Sequence, residues 1–333
     1  MGLEWFPRVL GAVAVGTLVA VAAPAPGSAE PVSALSSIEA GTDRNSIVRV
    51  YSASMDRIVS VRVRTAADDS EPRPTLYLLN GSTGGEEGAA TWHSETDVDD
   101  FFDDKNINLV TPLDGAFSYY TDWLHDDPVL GRNKWTTFLT RELPPIIDET
   151  FGTSGVNAIA GLSMGGTSVL SLAVAEPKLY RAVAAYSGCA ETSTNLGRFY
   201  VRTVVEAKGG ADVENMWGSS SNPAWSMNDA YVHAERLRGI ALYISSATGL
   251  PGKYDNLESP TVDGDPEALM NQVVVGGVIE AAVHQCTLRL AKRLEELDIP
   301  AHIESRPTGT HSWGYWQEDL HNSWPMIAEA VGL

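Results

Sequence analysis

The hexapeptide Gly161-Leu162-Ser163-Met164-Gly165-Gly166 follows a mostly apolar run at residues 156–160 and precedes a stretch of small residues with helical character. A serine in the pattern G-x-S-x-G, with a strand before and a helix after, marks a sharp turn that lifts the hydroxyl clear of a sheet. Gly161 and Gly165 suit that turn because strand and helix cross closely and leave no room for a Cβ. The helix starting beneath the serine directs its free amide groups at negative charge developing near Ser163. This one turn points to an α/β fold with a candidate nucleophile at the edge of its sheet.

The rest of the chain supplies the other layers. Valine- and isoleucine-rich runs at 47–51 and 58–64 predict an antiparallel pair at the sheet edge. Short, continuously apolar runs at 75–79, 107–112, 156–160, 182–186 and 240–244 predict parallel strands covered on both faces. Helical stretches at 135–151, 166–175 and 266–297 lie between or after them, and a strand at 300–306 and a helix at 317–331 close the chain. The alternation implies a mostly parallel central sheet with helices on both faces, and all loops following the parallel strands on one edge. Residues 188–233, polar and rich in glycine, asparagine and tryptophan, interrupt the alternation. They read as an inserted lid-like segment or as a solvated excursion.

Arg8, an apolar stretch at 9–23 and the small residues Pro24-Ala25-Pro26-Gly27-Ser28-Ala29 describe a secretory signal over residues 1–29. Its apolar part is too short to cross a bilayer comfortably, and no later segment reads as a membrane anchor. Residues 30–333 suit one large α/β domain. The formal net charge of −20 argues against nucleic acid and anionic lipid headgroups as partners. The two cysteines, Cys189 and Cys286, lie in an exported chain where oxidation is permitted, so a disulfide is expected, with two buried thiols the alternative. Neither cysteine has metal-ligand spacing with a histidine. No metal or cofactor motif is present, and none is expected.

A serine hydroxyl needs a base within hydrogen-bond reach. Of the seven histidines, His311 follows the last predicted strand in Gly309-Thr310-His311-Ser312-Trp313, where the chain order serine, acid, histidine places the base. The acid is less determined. The loop after the 240–244 strand offers Asp255, Glu258, Asp263 and Asp265. Glu280 stands in a helical stretch among Val278, Ile279, Ala281 and Ala282, where a carboxylate is costly to bury unless paired, for example with an imidazolium. It reads equally as a helix-surface glutamate. For the oxyanion, one backbone donor is the amide of Met164. The other is expected from Asn80-Gly81-Ser82-Thr83-Gly84-Gly85, with Ser82 first and Thr83 next.

Four segments carry a family resemblance. They are Gly161-Leu162-Ser163-Met164, Phe117-Ser118-Tyr119-Tyr120-Thr121-Asp122-Trp123, Met216-Trp217-Gly218-Ser219-Ser220-Ser221-Asn222-Pro223-Ala224-Trp225 and Gly309-Thr310-His311-Ser312-Trp313-Gly314-Tyr315-Trp316. Together they resemble the antigen 85 and corynebacterial mycolyltransferases, a secreted branch of the α/β-hydrolase fold, from about Thr75 to the C-terminus. The resemblance implies ping-pong transfer of a mycoloyl group from trehalose monomycolate to a second trehalose monomycolate or to cell-wall arabinogalactan, outside the cytoplasmic membrane. It implies Ser163 as nucleophile, His311 as base and Glu280, 31 residues before His311, as acid. Met164 and Ser82 would supply the oxyanion amides, and Trp313 would line the sugar site.

Two departures bear on the substrate. Where the antigen 85 proteins carry Leu-Asp-Gly-Leu-Arg, this chain reads Leu79-Asn80-Gly81-Ser82-Thr83. Asn80 keeps a group that hydrogen-bonds a sugar hydroxyl, but the carboxylate and guanidinium are gone. Residues 124–133 hold no cysteine, so the family's small disulfide loop is missing and the pattern stands nearer the corynebacterial branch. A secreted carboxylesterase using the same triad is the alternative reading. Trp217, Trp225, Trp313 and Trp316 suggest carbohydrate stacking, or ordinary core packing.

Overall fold

The strands form one nine-stranded sheet, in the order β1-β2-β3-β5-β4-β6-β7-β8-β9. They run Ala34–Ala40 (β1), Asn45–Ser52 (β2), Arg57–Arg64 (β3), Thr75–Leu79 (β4), Asn108–Pro112 (β5), Asn157–Leu162 (β6), Tyr180–Tyr186 (β7), Ala241–Ala247 (β8) and His302–Arg306 (β9). The computed structural model describes residues 1–2 and 31–333, of which Val32–Leu333 form one compact unit. From residue 3 onward, the signal expected over 1–29 lies outside the described residues.

β1, β2 and β3 pair antiparallel, β3 joins β5 antiparallel, and every pairing from β5 to β9 is parallel. The predicted antiparallel pair is present, but β1 lies outside it, so the pair is not the edge. Every residue of β1 is exposed. Its sequence, ALSSIEA, lacks the apolar alternation by which strands are recognised in a sequence.

β4, β5 and β6 are buried along their whole length, as their continuous apolarity predicts. The period of two sends Tyr77 and Leu79 of β4 to one core, with Val169, Leu170 and Val183. Leu76 and Leu78 go to the other, with Tyr186, Trp316 and Leu320. Helices close both faces, as an open parallel sheet requires.

The predicted helices prove longer or less regular than their sequence pattern, the one at 135–151 carrying a π turn at Phe138–Glu142. The helix after β6 starts at Met164, immediately beyond Ser163, and runs to Ala175. The terminal helix starts at Trp313, four residues before the predicted 317, and runs to Val331. The helix between β8 and β9 is α-helical over Pro266–Asn271 and Gly277–Glu296, with a wider π turn at Gln272–Gly276. A 3.6-residue pattern does not register such a widening, which is common at functional sites.

Pro266–Glu296 is, by length and composition, apolar enough to cross a membrane, which corrects the reading that no later segment qualifies. In the fold its inward residues Glu280, Val283, Cys286, Leu290 and Leu294 are buried, and the helix packs on β8.

Residues 188–233 carry short helices at Asn195–Arg202, Val213–Trp217 and Ala224–Met227. Val201, Val205, Val213, Met216, Trp217 and Trp225 from this segment are buried in the first core. It is thus anchored to the sheet rather than a wholly solvated excursion. Trp217 and Trp225 meet edge to face at 5.1 Å and are 2% and 0% exposed, which assigns both to packing rather than to sugar stacking.

Cys189 and Cys286 are bonded, with Cα atoms 5.2 Å apart across 97 residues. The bridge joins the loop after β7 to the helix that carries Glu280. Replacing both cysteines by alanine is expected to cost about 4 kcal/mol, by the loop entropy regained in the unfolded chain. A lower urea midpoint checks this; an unchanged midpoint would show that the bridge adds nothing to stability.

Candidate active site

The elbow forms because two backbones cross almost in contact. A Cβ on Gly165 would stand 2.4 Å from the Asn80 carbonyl oxygen, and one on Gly161 2.9 Å from the carbonyl of Gly165. No side chain larger than hydrogen fits either place without moving backbone. Between them Ser163 is held at φ 55° and ψ −119°, a strained conformation for a residue with a Cβ. Its amide donates to the Tyr186 carbonyl at 2.8 Å, which ties the turn to the end of β7. The hydroxyl is left facing the loop edge of the sheet.

His311 and Glu280 meet it there. His311 Nε2 lies 2.8 Å from Ser163 Oγ, and His311 Nδ1 lies 2.8 Å from Glu280 Oε2. Glu280 is fully buried, and its other oxygen, Oε1, accepts from Ser187 Oγ at 2.9 Å and from the Ala247 amide at 2.8 Å. A buried carboxylate needs such donors, and three of them hold Glu280 in place. Ser187 is itself fixed by Trp316, whose Nε1 donates to Ser187 Oγ at 3.0 Å. The Trp316 ring also stands edge-on to the His311 ring at 4.8 Å. With Glu280 accepting at Nδ1, that nitrogen carries the proton and leaves Nε2 as an acceptor toward Ser163.

The other acids nominated by the sequence do not reach the imidazole. Among them, Asp255 accepts from Thr310, the neighbour of His311. Farther along the terminal helix Asp319 is fully buried beside Arg306. Burial pushes its carboxyl up, to about 6, while Arg306 pulls the other way.

The loop after β4 closes the other side. Neither the Met164 nor the Ser82 amide donates to a protein acceptor among the described residues. Both residues line the cavity at Ser163, as oxyanion donors must. Thr83 lines it as well, and its hydroxyl donates to the Ala90 carbonyl at 3.4 Å. Asn80 does not take the substrate-facing place expected for it. It is fully buried, its Nδ2 donating to the carbonyls of Gly84 and Pro112 at 3.1 and 3.3 Å. Its Oδ1 accepts from the Trp92 amide at 3.1 Å. These three bonds shape the loop, and Asn80 is not among the residues lining the cavity.

Ser163 opens into a cavity of about 270 Å³. Its wall is mostly apolar and includes Leu162, Val204, Ile279, Val283, Trp313 and Trp316. Trp313, for which the resemblance implies a place at the sugar site, is half-buried in that wall; Trp316 is buried and braces His311. Among the described residues no carboxylate lines the cavity, and Lys208 is its one permanent cation. Burial keeps the Tyr119 phenol in the wall neutral, far above the usual range.

Sequence reasoning missed Ser187, the Ala247 amide and the wall residues Tyr200, Thr203 and Val204. Ser187 had a signal: it follows a parallel strand directly, on the edge where such sheets build sites. The wall residues had none beyond the expectation of a lid-like insertion.

Residues 52–327 match the putative esterase family. The diacylglycerol acyltransferase/mycolyltransferase Ag85A of Mycobacterium leprae is 28% identical over 292 residues, covering 86% of this chain and 83% of that protein. Its counterpart Ag85B of Mycobacterium avium is 27% identical over 294 residues, with the same coverage. Among solved structures, MPT51 of Mycobacterium tuberculosis superposes with a TM-score of 0.69 at 23% identity, covering 84% of this chain and 96% of its own. An S-formylglutathione hydrolase of Agrobacterium tumefaciens follows with a TM-score of 0.60 at 16% identity, covering 90% and 100%. These last two likenesses are of fold. They agree with the α/β-hydrolase arrangement expected from the elbow.

Proposed function

Since this chain belongs to the putative esterase family, we propose that it is an exported serine acyltransferase that moves a long-chain acyl group between sugar hydroxyls through an acyl-Ser163 intermediate. The observation that carries the reading is the unbroken hydrogen-bonded series Ser163, His311, Glu280 at the base of an apolar cavity.

The chemistry follows from that series. Ser163 Oγ attacks the ester carbonyl as His311 Nε2 takes the hydroxyl proton. The carbonyl oxygen becomes an oxyanion held by the amides of Met164 and Ser82. Collapse of the tetrahedral adduct breaks the ester bond, and His311 returns the proton to the departing sugar oxygen. A second sugar hydroxyl then enters, loses its proton to His311 and attacks the acyl-serine. The adduct collapses to the new ester, and the proton passes back to Ser163. Glu280 keeps the imidazole in the productive tautomer and stabilises the imidazolium formed in each half.

For the donor we take trehalose monomycolate, and for the acceptor a second such glycolipid or cell-wall arabinogalactan. Support comes from relatives named as mycolyltransferases over most of the chain and from the aromatic wall at Trp313. A largely uncharged cavity suits a neutral glycolipid. Export rests on the signal pattern at 1–29.

Product analysis by mass spectrometry tests the reading. The mature protein with a trehalose monoester is expected to give diester and free trehalose. Free fatty acid without diester, in the presence of both acceptors, would reassign the chain as a hydrolase with the same catalytic residues.

A further inference from the structure

The segment Gly309-Thr310-His311-Ser312-Trp313-Gly314-Tyr315 holds more than one histidine's worth of chemistry, and Asp255 accounts for the rest. Asp255 lies in the loop after β8, where fold logic would seek the acid. Each of its oxygens accepts two hydrogen bonds. Oδ1 receives Gln272 Nε2 at 2.7 Å and the Thr310 hydroxyl. Oδ2 receives the Tyr315 hydroxyl at 2.7 Å and the Gly252 amide at 2.8 Å. None of the four donors is a cation, and none belongs to the reacting set.

Three of those donors, Thr310, Tyr315 and Gln272, come from segments that hold the imidazole or its partner. Thr310 precedes His311, and Tyr315 lies in the first turn of the terminal helix that follows it. Gln272 sits in the π turn of the helix that carries Glu280, and the His311 amide donates to the Gly276 carbonyl of that same turn at 3.3 Å. The glycines of the segment serve the same clasp. A Cβ on Gly314 would stand 2.6 Å from the Tyr254 ring, and one on Gly309 3.1 Å from the Tyr315 ring.

We propose that Asp255 is a positioning residue that locks the His311 loop to the Glu280 helix, so that His311 and Glu280 keep their hydrogen bond through both half-reactions. The proposal rests on the acyl-Ser163 reading, because it assigns Asp255 a part in that reaction without contact with substrate. The carboxylate is required because its two oxygens, each with two acceptor sites, face donors only. An asparagine of the same shape would turn its NH₂ against two of them, opening the clasp on one side. Shifts of about 1 Å at a reacting group cost on the order of 10²-fold in rate.

The test compares wild type, Asp255→Asn and Tyr315→Phe, the last removing a single hydroxyl in case the first does not fold. The readouts are kcat and KM on p-nitrophenyl butyrate, thermal midpoint, and the low-field proton resonance of a histidine Nδ1–H bonded to carboxylate. Expected are a kcat lower by about 10²-fold in Asp255→Asn, with a smaller loss in Tyr315→Phe and KM within twofold in both. The resonance should broaden or vanish in samples shown to be folded. A kcat within twofold of wild type, or a sharp resonance in folded Asp255→Asn, would overturn the proposal. If wild type neither turns over the ester nor reacts with a fluorophosphonate, the acyl-Ser163 reading fails instead, and the resonance alone still judges the clasp.

Discussion

Ser163→Ala is expected to lower turnover of a soluble acyl ester by about four to six orders of magnitude, because without the hydroxyl no acyl-enzyme forms. The remaining rate would come from the oxyanion donors and binding alone. Stability should change little. Alanine keeps the Cβ, so the elbow at φ 55° bears the same strain as before, and the lost hydroxyl is only half-buried. The measurement is kcat on p-nitrophenyl butyrate, together with the mass shift on fluorophosphonate treatment. Wild type should gain one label and the variant none. A variant that keeps more than about one percent of wild-type activity would remove Ser163 from the mechanism.

The second large effect is at Glu280, where Glu280→Gln is expected to cost about 10³–10⁴-fold in kcat with KM little changed. Gln can still accept from Ser187 and the Ala247 amide through its carbonyl oxygen, as Glu280 Oε1 does. Its NH₂ then faces His311 Nδ1, where the carboxylate oxygen stood at 2.8 Å. The imidazole must accept there, which moves its proton to Nε2 and leaves no base for Ser163. Retention of activity within tenfold would return the acid role to another carboxylate. Asp255 is the informative comparison, since it touches the residue beside His311 rather than the ring.

The elbow and the parallel strands were legible because each depends on local pattern: glycines at a crossing too tight for a Cβ, and apolar runs buried on both faces. β1 was not, because an exposed outer strand needs no apolar face. The acid was not legible from physics either. A glutamate among valines and alanines looks the same whether the helix turns it to solvent or to a histidine 31 residues away. Only the resemblance chose between Glu280 and Asp255, and the structure then brings Glu280 to the ring. Asn80 misled for a related reason. An amide in a glycine-rich loop is as apt to shape that loop as to meet a ligand, and three inward bonds decided the matter. The tryptophans divide in the same way, by which core lies beneath them.

The bond between Cys189 and Cys286 makes a covalent ring of the chain between them. That ring contains the whole polar insertion from 190 on, all of β8, Asp255 and Glu280, while Ser163 lies before it and His311 after it. A protease that cuts any exposed loop inside the ring therefore cannot release either half. The nicked molecule migrates as one species until a reductant is added, and the fragment bearing Ser163 stays tethered to the one bearing His311.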